Sequence, residues 1–498
     1  MRNLSTLAWR VYDAPTKPWH GVVADTEGDD SVYVMRVERR DGVSQLTLAH
    51  ITPTGTEELA VLEVASAPPH VPDVADFRLL ADGGSSVNHM PAICVIGSGG
   101  DIVLMPVDEE ASAPAEVVGS VDQGILAAAW SPEEDVLVLI TGGEKRLIVM
   151  TREFEVMSET MLSTEAFGDD QPVNVGWGSK STQFHGSEGK QAAMAAANAP
   201  EESDPRGPLV PEDDGLPRIS WRGDGAFFVT SSAEASHDTV HRILRTYTRT
   251  GTLSATSDRS VRGISHVLAC RPTGNLIATT QRMGGPWAPG RHGRHDVVFF
   301  ERNGLRHGEF SLREEHGSVP DVPGVSAEPL PPWSCEHQIR LVSWNADGSV
   351  LAVVLQRAGL HVLQLWTSGN YHWYLKHEST YEHLHAMTWH PEQPLTWYVS
   401  HARVEKRTMC LETACSRGMP PHDAACASVV DGHMLYLTPF RLQNVPPPMC
   451  AVAIVDTPQH TVPHVPPATP VHVAWTTQSV EDQTTDIVAI LYPDASVH

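Results

Sequence analysis

Several stretches of this 498-residue sequence bring together residue types that could do chemistry. Gly186-Ser-Glu-Gly-Lys-Gln191 has the outline of a phosphate cradle. A P-loop needs glycine six positions before its lysine and a hydroxyl residue after it, and Phe184 and Gln191 stand there instead. Without the glycine the backbone cannot wrap the phosphates, and without the hydroxyl a magnesium ion lacks its ligand. Gly97-Ser-Gly-Gly100 reads as a β-turn, because Ile102 replaces the final glycine of a dinucleotide fingerprint. His237 and His241 would face one way only on a helix, whereas Val240, Ile243 and Leu244 around them read as a strand. His383, His385 and His390 form a looser group in a turn-and-strand region, a grouping that 26 histidines produce by chance. Cys410, Cys415 and Cys426 lack zinc-ribbon and iron–sulfur spacing. Asp169-Asp170 and Asp213-Asp214 are carboxylate pairs in polar segments and read as solvated loop charges rather than an acid–base pair. No Gly-x-Ser-x-Gly elbow is present. The expectation is therefore a chain with no catalytic residue, no cofactor and no metal.

The elements that carry these residues follow a repeat. Three or four apolar residues end in Trp or its equivalent, a turn follows, and a second apolar run comes after it. The clearest copies are Leu126-Ala-Ala-Ala-Trp130, Arg218-Ile-Ser-Trp221, Val267-Leu-Ala-Cys270, Leu341-Val-Ser-Trp344 and Ala386-Met-Thr-Trp389, with a weaker one at Asn174-Val-Gly-Trp177. The anchors are spaced by 47, 44, 49, 74 and 45 residues, and four of these intervals sit near the roughly 40–45 residues of a four-stranded propeller blade. The interval of 74 calls for an insertion, supplied by 284–290 or the proline-rich 319–332. Asp224-Gly225 and Asp347-Gly348 tolerate the positive φ of tight hairpins, while Pro132, Pro272 and Pro391 preset φ at the start of a turn. The runs after the turns are β-branched or aromatic, as buried strands prefer. Trp130, Trp177, Trp221, Trp344 and Trp389 at equivalent positions read as blade anchors that pack between blades.

A looser copy lies upstream at 77–105, and 31–37 with 45–48 reads as a further hairpin. This gives an all-β fold: a WD-repeat-like β-propeller of about seven blades over 1–400. The pattern restarts over 401–498 as the incomplete start of a second β-propeller. Helical periodicity is confined to 190–197, and 196–215 reads as a disordered acidic loop. With 35 Lys and Arg against 61 Asp and Glu, the net charge of −26 argues against a whole-surface nucleic-acid binder. No apolar run approaches the roughly 20 residues of a membrane helix. No secretory signal is evident, and seven sparse cysteines read as reduced thiols of an intracellular protein.

Two stretches are not generic propeller: Pro172-Val-Asn-Val-Gly-Trp-Gly-Ser-Lys-Ser-Thr-Gln-Phe-His-Gly-Ser-Glu-Gly-Lys-Gln191 and Leu437-Thr-Pro-Phe-Arg-Leu-Gln-Asn-Val-Pro-Pro-Pro-Met449. Both resemble segments of the Elongator complex protein 1 family, the largest subunit of Elongator. The resemblance implies a double propeller followed by a long helical region, acting as a scaffold for wobble-uridine modification of tRNA whose radical chemistry belongs to another subunit. It implies other Elongator subunits as partners, including the catalytic one, and tRNA only through the assembled complex. The family's dimerisation segment and basic tRNA-contacting segment would lie beyond residue 498. The expected location is the cytoplasm, with the nucleus as a second site.

Within the first distinctive stretch, Lys180, His185, Glu188, Lys190 and Gln191 are the candidate partner-binding loop, the competing role being a loop that packs over its own blade. Three functions stay open. One is a scaffold, of Elongator or of another intracellular complex. Another is a propeller enzyme with titratable residues converging on the channel. The last is an RNA reader using 291–294 or 401–407, which the acidic total disfavours.

Overall fold

The computed structural model describes residues 4–497 except 169–206, 313–337, 442–452, 457–471 and several shorter stretches. The described part is almost wholly β, and no helix in it is long and apolar enough to cross a membrane. Seven four-stranded antiparallel sheets follow one another as blades. Blades 1 to 6 span 21–65, 74–120, 125–161, 218–256, 269–311 and 338–381. Blade 7 takes Ala386–Trp389, Thr396–Ser400 and Val404–Leu411, and borrows its outermost strand, Leu4–Tyr12, from the other end of the sequence. That strand pairs antiparallel with Val404–Leu411, from Leu4 opposite Leu411 to Tyr12 opposite Val404. The domain limit read at residue 400 thus falls inside blade 7, because its third strand continues to Leu411 and needs the N-terminal strand beside it.

The turns after the inner strands of blades 3 and 6 are built by one device. Their first residue accepts the backbone N–H of the residue five positions on: Ser131 Oγ from Val136 at 3.1 Å and Asn345 Oδ1 from Val350 at 2.8 Å. Gly348, with φ of 69°, then turns the chain where an L side chain would be strained. The second strands that follow are buried on both faces, as in Ala92–Gly97 and Val136–Thr141. Successive side chains of a strand point to opposite faces. Phe227 therefore packs into the seam between blades 4 and 5, while Phe228 packs into the seam between blades 3 and 4.

The core follows from this alternation. Seven apolar clusters occupy the seven seams between neighbouring blades, including the one where blade 7 meets blade 1 through Tyr12, Trp19, Val22 and Tyr398. Each fully buried Leu, Val or Phe contributes about 1.5–3 kcal/mol, and none of that is available until two blades meet. Outer strands such as Val156–Met161 are mostly exposed.

Beyond residue 411, Cys426–Asp431, Met434–Pro439 and Ala453–Asp456 form one sheet, and His472–Val480 with Gln483–Leu491 form a hairpin. Val430 and Leu435 of the first pack with Val473 and Ile490 of the second, and Trp475 Nε1 donates to Ser428 Oγ at 3.0 Å.

Candidate functional site

Four of the five tryptophan anchors lie in the described residues, and Trp177 lies outside them. Trp130, Trp221, Trp344 and Trp389 each end an inner strand and are at most 9% exposed. Trp221 Nε1 donates to the carbonyl of Ala129 at 3.1 Å, and Trp389 Nε1 to that of Ser343 at 3.4 Å. In blade 5 the Cys270 thiol donates to the carbonyl of Ser220 at 3.3 Å. Each acceptor is the residue just before the anchor of the preceding blade, so one interaction recurs in blades 4, 5 and 7 and explains why Cys270 can stand in for Trp. Trp130 instead meets Phe154 edge-on at 5.9 Å, and Trp344 carries Arg271 over its face at 5.3 Å. Burial pushes the Cys94 and Cys270 thiols up to about 12, so neither supplies a thiolate at neutral pH.

In an up-and-down sheet, the connection from one blade's outer strand to the next blade's inner strand shares a rim with the turn between second and third strands. The longest such connection, 162–217, joins blades 3 and 4. It contains Lys180, His185, Glu188, Lys190 and Gln191, all of which lie outside the described residues. Its two flanks are described, and both are pinned. On the first, Arg245 donates to the carbonyls of Leu162 at 3.1 Å and Thr164 at 2.9 Å, while its guanidinium pairs with Glu234.

The second flank, 207–216, crosses blades 4 and 5 as a strap. Leu209 N donates to Val240 O at 2.9 Å and Trp287 Nε1 to Leu209 O at 3.3 Å. Glu212 takes Arg282 Nη1 at 2.7 Å on one oxygen and His295 Nε2 at 2.6 Å on the other. All three side chains are about 2% exposed or less. Arg242 grips Asp213 with two nitrogens at 2.5 and 2.6 Å. Burial pushes the Glu212 carboxyl up, but the hydrogen bond and charge of His295 and the charge of Arg282 outweigh it and hold it below the usual range.

This corrects two expectations. Residues 207–215 are an ordered strap rather than part of a disordered loop, and Asp213 is a fully buried ion-pair partner rather than a solvated charge. The sequence shows the acids of this segment, but Arg242, Arg282 and His295 that neutralise them come from strands 29 to 83 residues away. Carboxylate oxygens of Asp213 and Asp214 and a ring nitrogen of His266 lie within 4.8 Å of one another. Arg242 and Arg218 already neutralise the two acids, so the arrangement serves as a structural ion-pair lattice.

The histidine group also divides. His383 and His385 stand on the strap-bearing rim, but His390 lies across the inner strand Ala386–Trp389 at the opposite end of the blade. There its Nδ1 accepts the N–H groups of Glu392 and Gln393 at 3.1 and 3.2 Å. Fold proximity brings His20, His361 and His401 to the rim of blades 6, 7 and 1 instead, a grouping without any signal in the spacing. His241 lies on the strand Thr239–Thr248 and His237 outside the described residues. Of 291–294, Arg294 pairs with Asp296 at 2.6 Å; within 401–407, Lys406 pairs with Asp30, and Arg407 with Glu405 at 3.0 Å.

Comparison with known proteins meets this geometry. Residues 1–392 match the family model "ELP1 first N-terminal beta-propeller", and 429–486 match "ELP1 N-terminal second beta-propeller". Among curated proteins, Elongator complex protein 1 of Schizosaccharomyces pombe is 35% identical over 72% of this chain and 26% of its own length. That of Mus musculus is 33% identical over 91% of the chain and 31% of its own length. That of Saccharomyces cerevisiae is 35% identical over 70% and 26%. The chain thus spans only 26–31% of the length of these relatives. Seven seams closed by an N-terminal strand, a restarted β pattern, and these matches over most of its residues together make the chain a member of the Elongator complex protein 1 family.

Proposed function

We propose that the chain is a non-catalytic scaffold of the Elongator complex. In this reading it supports wobble-uridine modification of tRNA by docking other subunits, the catalytic one among them, through its propeller surfaces. Family membership supports the assembly. The single structural observation that carries the docking role is the rim of blades 3 to 5, where a connection of more than fifty residues is held at both flanks by buried arginine pairs. A loop whose attachment points are fixed loses less entropy on engaging a partner. Lys180, His185, Glu188, Lys190 and Gln191 are its proposed contact residues. The excess of acidic residues favours tRNA engagement through the assembled complex rather than by this chain alone. The proposed location is the cytoplasm and, secondarily, the nucleus.

The test is affinity capture followed by mass spectrometry from cells expressing the tagged chain, beside a variant whose residues 172–191 are replaced by a Gly/Ser linker. The chain is expected to recover Elongator subunits, and the variant to recover at least tenfold less of one of them. Recovery of no Elongator subunit by the parent overturns the scaffold; undiminished recovery by the variant overturns the loop's role. Salt-dependent binding of tRNA to the isolated chain would favour the RNA reader instead.

A further inference from the structure

The ring closes where blades 6, 7 and 1 meet, and the rim there carries five histidines. His20 and His385 rings lie 5.7 Å apart, His361 and His383 6.3 Å apart, and His401 sits 5.2 Å from the Tyr381 ring. Two of them hold the chain. His20 Nδ1 accepts the backbone N–H of Val37 at 3.1 Å, and His361 Nδ1 accepts that of Leu384 at 3.1 Å. Two backbone bonds continue the stitch, His385 N to Ser400 O at 2.8 Å and His20 N to Met35 O at 2.7 Å, and the Ser400 hydroxyl donates across from blade 7 to Trp19 O at 2.6 Å. A neutral ring accepting at Nδ1 carries its proton at Nε2, so neither His20 nor His361 has a lone pair left for a metal. A protonated ring has N–H at both positions and would face the Val37 or Leu384 donor with a donor of its own.

We propose that this rim carries a proton-operated latch beside the ring closure, holding the entry to blade 1 and the connection from blade 6 to blade 7, shut while His20 and His361 are neutral and released when they take up protons. The surroundings favour the shut state. His20 faces Arg36, Glu38 and His385; His361 faces Arg340, His383 and the backbone of Glu382; His385 faces His20, His361, His383 and His401. Of the acids, Glu38 is taken by Lys17 at 2.7 Å, and Glu405 by His401 at 2.8 Å and Arg407. Burial first, then Arg36 for His20 and Arg340 for His361, holds both rings below the ordinary histidine value of 6.5. The unfolded chain therefore takes up these protons first. The latch contributes fully above pH 6.5 and is lost as pH falls below it.

Hydrogen exchange of the full chain, read by mass spectrometry at pH 7.5 and 5.5 and corrected for intrinsic exchange, tests the latch segment by segment. Segment resolution is needed because Asp76, pushed up to about 6 by burial, responds with the opposite sign in a global melt. Peptides reporting Val37 and Leu384 are expected to lose protection at least tenfold more than the blade 3 strand Val136–Thr141. His20→Asn and His361→Asn, together and singly, place a non-titrating acceptor near each Nδ1 and should abolish that difference at their own peptide. A uniform response around the ring, or an undiminished difference in both single variants, overturns the proposal. Should the double variant fail to fold, the single variants each test one bond.

Discussion

At the scale of the residue, the same side-chain type does different work according to which seam receives it. Trp221 and Trp389 hand their indole N–H to the previous blade, whereas Trp344 packs among Phe299, Trp373 and Arg271. Truncating a buried aromatic of this size costs about 3–5 kcal/mol. Trp221→Ala should therefore lower the chemical-denaturation free energy by that amount. Trp221→Phe should cost less, since it keeps much of the ring and leaves the Ala129 carbonyl without its donor, a loss of about 1 kcal/mol. Equal losses in both variants would mean that the hydrogen bond, not the packing, carries the anchor. Trp130, Trp221, Trp344 and Trp389 were legible in the sequence because each stands before a four-residue turn between two apolar runs. His390 was misgrouped because four residues in a strand carry the chain across the whole blade, while sequence spacing alone makes His383, His385 and His390 look adjacent.

The strap over blades 4 and 5 shows how elements differ from the residues that compose them. Its composition, with Pro211, Glu212, Asp213 and Asp214 in a row, reads as a solvated loop, and only the arrival of Arg242, Arg282 and His295 from distant strands makes it a packed element. Removing one partner of a buried ion pair strands the others and costs about 3–5 kcal/mol. Glu212→Ala should therefore release the strap: limited proteolysis should cut within 207–216 in the variant and not in the parent, with Glu212→Gln intermediate. Uncut strap in Glu212→Ala would show that Asp213 and Arg242 suffice. Because the Glu212 carboxyl is held below its usual range of 4.5, its contribution is present at neutral pH and fades as pH falls through that range. Hairpins, by contrast, were plain from the sequence: Asp347-Gly348 between two apolar runs specifies a turn with local chemistry that needs no distant partner.

For the whole molecule the deciding feature is the pairing of Leu4–Tyr12 with Val404–Leu411. The sequence conveys the number of blades through its periodicity, but gives no hint that the last blade is completed from the first residues, since strand partners leave no mark at that separation. Leu4 fills the seam between blades 6 and 7, and Tyr12 the seam between blades 7 and 1. Deleting residues 1–12 should cost at least about 3–6 kcal/mol, taking two large side chains at their usual worth. Lowered and broadened denaturant transitions would record it, and a synthetic peptide of that sequence should restore the parent curve. An unchanged midpoint would mean that six blades and a three-stranded seventh already close.

That borrowed strand also sets a schedule for biosynthesis. Its residues leave the ribosome before the rest of the propeller, and Met409, the partner of Thr6, follows 403 residues later. At about 5–20 residues per second the nascent strand waits roughly 20–80 s, with Trp9 and Leu7 exposed even in the finished fold. Translation speed and chaperone occupancy during that interval, rather than the stability of the closed toroid, should govern how much of this chain matures.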